Sequence, residues 1–168
     1  MSRQGAPVFR SAVRLHRHIE DTVGGAVVLA NGCFDPLHVG HVRYLYGARE
    51  YGDFLVVAVN DDKSTRALKG ARRPIMPAAD RAHLVAQLEM VDAVLVFSAS
   101  DVRRILDKLR PRYHAKGTDY TADTVPERGT SRKLGIETVI VGDPKSHASR
   151  DIVRKIKGAA AGNGVGGV

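Results

Sequence analysis

The stretch AVVLANGCFDPLHVGH, residues 26–41, runs from a short, unbroken apolar segment through a turn into the start of a helix. A continuous, β-branched run such as 26–30 marks a strand covered on both faces, where polar and apolar positions no longer alternate. Runs of the same kind recur at 54–59, 93–97 and 138–141, with a weaker one at 113–115. Helical periodicity fills the intervals at 39–51, 79–90, 101–109 and 149–157. Strands alternating with helices predict βαβ units, so the chain reads as an α/β domain built on a doubly wound parallel sheet of about five strands.

Outward from this core, 168 residues suffice for a single domain with one continuous core. Residues 1–25 are expected to hold a leading amphipathic helix over 8–23, with Phe9, Val13, Ile19 and Val23 on its apolar face. Arg10, Arg14 and Arg17 recur on another face and read as a solvated basic stripe. Residues 26–157 form the domain proper, and the tail 158–168, with five glycines in eleven residues, is expected to be disordered. The single cysteine, Cys33, excludes an internal disulfide and any zinc site of several thiolates. No apolar run approaches the roughly 18 residues of a membrane span, and the amino terminus lacks a secretory pattern, so a cytoplasmic address is expected. Lys plus Arg exceed Asp plus Glu by 26 to 18, a net +8 that favours phosphorylated or polyanionic partners. Only 5% of residues are aromatic, too few and too scattered for a base-stacking nucleic-acid surface, so neither nucleic acid nor membrane is expected as a partner.

In a parallel α/β sheet, ligands bind outside the carboxyl ends of the strands. The turn directly after residues 26–30 is therefore the first candidate site. Gly32 permits close backbone approach to a ligand, and Pro36 suits entry to a helix. His38 and His41, three residues apart, share one face of the first turn, where unpaired amides and the helix dipole already favour an anion. Two neutral imidazoles there would donate hydrogen bonds to a phosphoryl transition state, and Gly40 between them leaves the backbone open. The same pair is also compatible with a partial metal site, but no third ligand of the right type stands nearby. Lys69 sits in an expected loop with Gly70, Arg72 and Arg73, whose charges suit phosphate oxygens. Arg81 opens a helix, where its charge opposes the dipole and an anion would relieve the misfit. Lys116-Gly117 would let the chain pass closely over a base or ribose, Asp119 is placed to accept from a hydroxyl, and Ser149 reads as an N-cap followed by Arg150.

Several motifs together resemble the nucleotidyltransferase superfamily with the His-x-Gly-His signature, in its cytidylyltransferase-like branch and nearest its heptose 1-phosphate adenylyltransferases. They are Asn31 to Asp35 with His38 to His41, Ala58 to Asp62, Leu68-Lys69-Gly70 with Arg73-Pro74, Asp80-Arg81, Leu88-Glu89, Val91-Asp92, Lys116 to Tyr120 and Ser149 to Ile152. The resemblance implies a Rossmann-like fold and direct attack of a sugar phosphate on the α-phosphorus of a nucleoside triphosphate, with release of pyrophosphate. It implies catalytic roles for His38, His41 and Lys69, and nucleotide contacts from Asn31, Gly32, Cys33, Phe34, Gly40, Lys116, Gly117, Asp119, Ser149 and Arg150. It further implies acceptor contacts from Asp35, Asn60, Arg73 and Arg81, Mg²⁺ carried by the triphosphate with no metal-ligating side chain, and a homodimer. The likeness at Asn31 to Asp35 and Lys116 to Tyr120 favours ATP over CTP. Where close relatives carry Ser-Thr-Thr before the last helix, this chain has Ala148-Ser149-Arg150. With no kinase-type segment ahead of it, the chain is expected to supply only the nucleotidyl step. The alternatives are a CTP-dependent enzyme acting on glycerol 3-phosphate or another polyol or amino-alcohol phosphate, and a nucleic-acid-binding or nucleotide-sensing module.

Overall fold

The structure, a computed structural model, describes residues 5–142 and 149–162. The elements in chain order are β1 Val8–Phe9, α1 Ala12–Thr22, β2 Val27–Gly32, α2 Val39–Arg49, β3 Phe54–Asn60, α3 Asp62–Lys69, α4 Ala78–Ala86, β4 Ala93–Phe97, α5 Arg103–Leu109, β5 Tyr113–Gly117, α6 Arg128–Leu134, β6 Glu137–Val141 and α7 Ser149–Gly162. Six strands pair in the order β1-β4-β3-β2-β5-β6, all parallel. From β2 the chain winds outward through β3 to β4, then returns to β5 on the other side of β2. The topological switch point is therefore the gap between the carboxyl ends of β2 and β5, the place where such sheets bind ligands.

The unbroken apolar runs have a direct cause in the packing. In β3, Leu55, Val57 and Val59 enter one core, while Val56 and Ala58 enter the other. On the first face, Leu45 and Ala48 of α2 join Ala82 and Val85 of α4; on the second, Leu15 and Ile19 of α1 join Ile105, Leu106 and Leu109 of α5. Since both faces are covered, β3 and β4 carry unbroken apolar runs, and polar residues of the inner strands, Asn31, Asn60 and Lys116, fall at or toward their carboxyl ends, while His114 lies buried within β5.

Three local expectations change. The sheet has a sixth strand because Val8 and Phe9 pair with Val94 and Leu95, and a two-residue strand carries no period for a sequence to display. The leading helix accordingly starts later, at Ala12, with Ser11 as N-cap accepting from the Arg14 amide. It turns Leu15 and Ile19 inward and leaves Val13 52% exposed. Arg10, Arg14 and Arg17 are exposed, as a solvated stripe requires. Second, Lys69 is the last residue of a helix: α3 is capped by Asp61 on the Ser64 amide and ended by Gly70 at φ 102°, and only Gly70, Arg72 and Arg73 lie in the expected loop. Third, α7 continues through the first five residues of the expected disordered tail to Gly162, and the remainder, 163–168, lies outside the described residues. Among the described residues no helix is long and apolar enough to cross a membrane.

Candidate active site

The turn between β2 and α2 brings the histidines to the switch point. Phe34 adopts a left-handed backbone, φ 51°, and its side chain is only 1% exposed. The ring packs against His41 with centroids 5.0 Å apart, and a Cβ on Gly32 would meet that ring at 3.2 Å. Gly32 thus makes room for Phe34 as well as for any ligand. Phe34, expected to contact nucleotide, is a buried support for His41, so any contact it makes is through its backbone.

His38 is the N-cap of α2 and His41 the third residue of the helix. The His38 amide donates to His41 Nδ1 at 3.3 Å, which assigns the His41 proton to Nε2. The two rings stack, centroids 3.8 Å apart and 23° from parallel. The pair therefore behaves as one preorganised unit over the positive end of the helix, next to the amides of Val39 and Gly40.

Tyr44 fastens this helix to the two strands that flank the switch point. Its hydroxyl donates to Ala115 O at 2.8 Å and accepts from the Asn31 amide at 3.2 Å. Burial pushes the Tyr44 hydroxyl well above its ordinary range, which keeps it a donor. Below it, Asn31 Oδ1 lies 3.2 Å from His114 Nε2 and 3.4 Å from Lys116 Nζ. Lys116 is buried and paired with Glu127, so its expected direct contact with a nucleotide is corrected to a place beneath the site. A Cβ on Gly117, the last residue of β5, would meet no atom of the described residues within 4 Å, and Asp119 is exposed just beyond it.

His114 makes folding depend on pH. Burial first, and then the Lys116 charge, push its imidazole down to about 3 from 6.5. The unfolded chain takes a proton near 6.5 while the folded protein does not until about 3, so the unfolded state binds more protons across that window. Stability is expected to fall as pH drops from 6.5, by roughly 1.4 kcal/mol per pH unit from this group. Asp35 and Asp61 are held below 3.8 and act only in more acidic solution. Denaturant midpoints at pH 7 and pH 5 check this, with a flatter dependence expected in His114→Asn; equal slopes in the two proteins would contradict it.

Of the four residues expected to bind the acceptor, Asp35, Asn60 and Arg81 are buried and Arg73 is half-buried, and each is engaged within the chain. Burial would raise the Asp35 carboxyl, but amides of Ile75 and Met76 and the Arg73 guanidinium together hold it low. Arg73 is engaged in return, at 2.7 Å to Asp35 Oδ2. The Asn60 carboxamide donates to Ser64 and to Ala99 O. Arg81 is 0% exposed; it donates to Met76 O, Cys33 O and Asn60 O and pairs with Asp62 at 2.8 Å. The anion that relieves its position in α4 comes from its own chain. Their shared effect is to hold 33–35 and 73–76 against the ends of β2 and β3. Cys33 is half-buried with Sγ 3.8 Å from Asn60 Oδ1.

Lys69 is exposed at the end of α3. Ser149 and Arg150 begin α7, but their side chains, and Ala148 before them, lie outside the described residues. Tyr44, Asp62, His114 and Glu127 carry no role that the sequence alone discloses. Each acts through contacts distant along the chain, and Glu127 lies at the start of α6, a helix of seven mostly polar residues with no usable periodicity. Among the described residues no three His, Cys, Asp or Glu side chains cluster as a metal site.

Residues 29–156 match the profile of the cytidylyltransferase-like family. The chain is 44% identical over 140 residues to the bifunctional protein HldE of Geotalea uraniireducens (strain Rf4), covering 82% of this chain and 28% of that one. It is 47% identical over 117 residues to the bifunctional protein HldE of Streptomyces coelicolor, covering 70% and 25%. The chain thus spans little more than a quarter of the length of the curated relatives it matches. A lipopolysaccharide core biosynthesis protein from Thermoplasma volcanium GSS1 superposes with a TM-score of 0.63 at 30% identity, over 73% of this chain and all of that one. Pantoate-beta-alanine ligase from Francisella tularensis superposes at 0.67 with 11% identity over 88% of this chain and 73% of that one, a likeness of fold alone.

Proposed function

The chain belongs to the cytidylyltransferase-like family, and from that premise we propose that it transfers an adenylyl group from ATP to a sugar phosphate of the heptose 1-phosphate type, releasing pyrophosphate. The observation that carries the reading is the stacked His38–His41 pair at the N-terminus of α2, at the switch point of the sheet. An acceptor phosphate oxygen attacks the α-phosphorus; the new O–P bond forms as the bond to the bridging oxygen breaks, and the electron pair leaves with pyrophosphate. Acceptor phosphate and leaving group are both anionic, so the chain's task is to orient the reactants and neutralise charge.

In this reading the histidine Nε2–H groups and the amides at the start of α2 donate to the triphosphate where charge accumulates. Lys69, at the end of a flexible stem, neutralises further phosphate charge, and Ser149 and Arg150 at the start of α7 contribute to the same end. Gly117 gives the nucleoside room and Asp119 accepts from its ribose. Mg²⁺ would be carried by the triphosphate and would neutralise part of its charge. Two such chains are proposed to form a homodimer.

Pyrophosphate release across the four nucleoside triphosphates, crossed with heptose 1-phosphate, glycerol 3-phosphate and choline phosphate, tests the assignment. The expected maximum is ATP with the heptose phosphate. A maximum with CTP and glycerol 3-phosphate would move the chain to the polyol cytidylyltransferases, and nucleotide binding without turnover would make it a sensor.

A further inference from the structure

Beneath the crevice lies a buried charge pair that the phosphate chemistry does not use. Lys116 Nζ is 3.4 Å from Glu127 Oε2, and the two side chains are 7% and 2% exposed. The same ammonium is 3.4 Å from Asn31 Oδ1 and 4.8 Å from the centroid of the Tyr120 ring. Replacing a buried ion pair with apolar residues is often neutral or stabilising, so stability alone does not account for this one. Its chemistry does constrain Asn31. An ammonium only donates, so the carboxamide must turn its oxygen toward Lys116. His114 Nε2, 3.2 Å from that oxygen, must then donate as well, which places its proton on Nε2 and leaves Nδ1 without one; the buried Nδ1 indeed meets no partner among the described residues. With Oδ1 held by two donors, the Asn31 NH₂ group is turned away from both, at the carboxyl end of β2 and one residue before Gly32.

Resting on the nucleotide-transfer reading, we infer that Lys116, held by Glu127, is a positioning residue that fixes the Asn31 carboxamide so that its NH₂ group donates to an acceptor atom of the bound nucleoside triphosphate. Lys116 acts only through Asn31, and Glu127 supplies the charge that keeps the ammonium under the strand. The Tyr120 ring closes the remaining side of the ammonium by a cation–π contact.

Calorimetric titration of MgATP into wild type, Asn31→Asp, the pair Lys116→Met with Glu127→Gln, and all three substitutions together tests this. Asn31→Asp keeps an oxygen for Lys116 and His114 but loses the donor; the paired change removes both buried charges at once. Each is expected to weaken MgATP binding by about tenfold or more, the worth of a hydrogen bond to a charged group. The triple variant should bind no more weakly than Asn31→Asp, because two changes acting through one contact do not add. Wild-type affinity in the folded paired variant, or a fully multiplied loss in the triple, overturns the inference. Should the paired variant not fold, the Asn31 side-chain amide resonance of the wild-type protein decides: it must shift on MgATP addition, and a static resonance overturns the proposal. Parallel titrations with tripolyphosphate and with adenosine identify the acceptor, since only the one that carries it loses affinity in Asn31→Asp, and no loss in either overturns it. Failure of wild type to bind MgATP at all would count against the transfer reading instead.

Discussion

His38→Ala and His41→Ala are each expected to lower kcat by on the order of 10²-fold or more, the usual cost of one donor aimed at developing charge. The two rings stack at 3.8 Å, so each also holds the other in place. Effects of residues that act as a unit do not add, and the double substitution is expected to cost little more than either single one. Neither change should unfold the protein. His41→Ala loses the acceptor for the His38 amide, worth about 1 kcal/mol, and His38→Ala removes a half-buried N-cap side chain. Steady-state kcat beside a thermal melt separates the effects, and wild-type turnover in either folded variant would remove the pair from the chemistry.

Arg81→Met has the opposite signature, a loss of stability on the order of 3–5 kcal/mol. Its guanidinium has no exposed surface and holds the carbonyls of Met76, Cys33 and Asn60 together with the Asp62 carboxylate. Methionine fills much of the volume but satisfies none of those acceptors, and unpaired buried acceptors are costly. Two of the carbonyls belong to the segments that carry the site, so the residual folded fraction should also turn over slowly. Denaturant unfolding measures the first effect. A variant of wild-type stability with only a raised KM for the acceptor phosphate would return Arg81 to the substrate-binding role that its place at the head of a helix suggests.

The contrast between these two variants marks what the sequence can disclose. The central strands are legible because burial on both faces erases alternation, and the place of the histidines at the switch point because it follows from the strand-to-helix turn that carries them. Asp35, Asn60, Arg73 and Arg81 are equally visible as motif residues, yet a motif does not say whether a charge faces solvent or the interior. Arg81 meets its anion, Asp62, 19 positions earlier in the chain, a pairing created only where the first residue of α3 meets the start of α4 beyond the end of β3. The burial of Lys116 is hidden for the same reason, since Glu127 lies beside a short helix without a readable pattern. Strand β1 escapes a periodicity reading because two residues show no period, and Lys69 reads as loop because Gly70 and the arginines beyond it mask the end of α3.

An enzyme that joins a nucleotide to a sugar phosphate by direct displacement at the α-phosphorus must yield two products in fixed proportion. Phosphorus NMR of one reaction containing the protein, MgATP and heptose 1-phosphate follows all the species involved. Pyrophosphate and a diphosphate-linked nucleotide sugar are expected to appear together in a one-to-one ratio as both substrates disappear. Pyrophosphate accompanied by AMP with the sugar phosphate unconsumed, or no change in the spectrum at all, would contradict it.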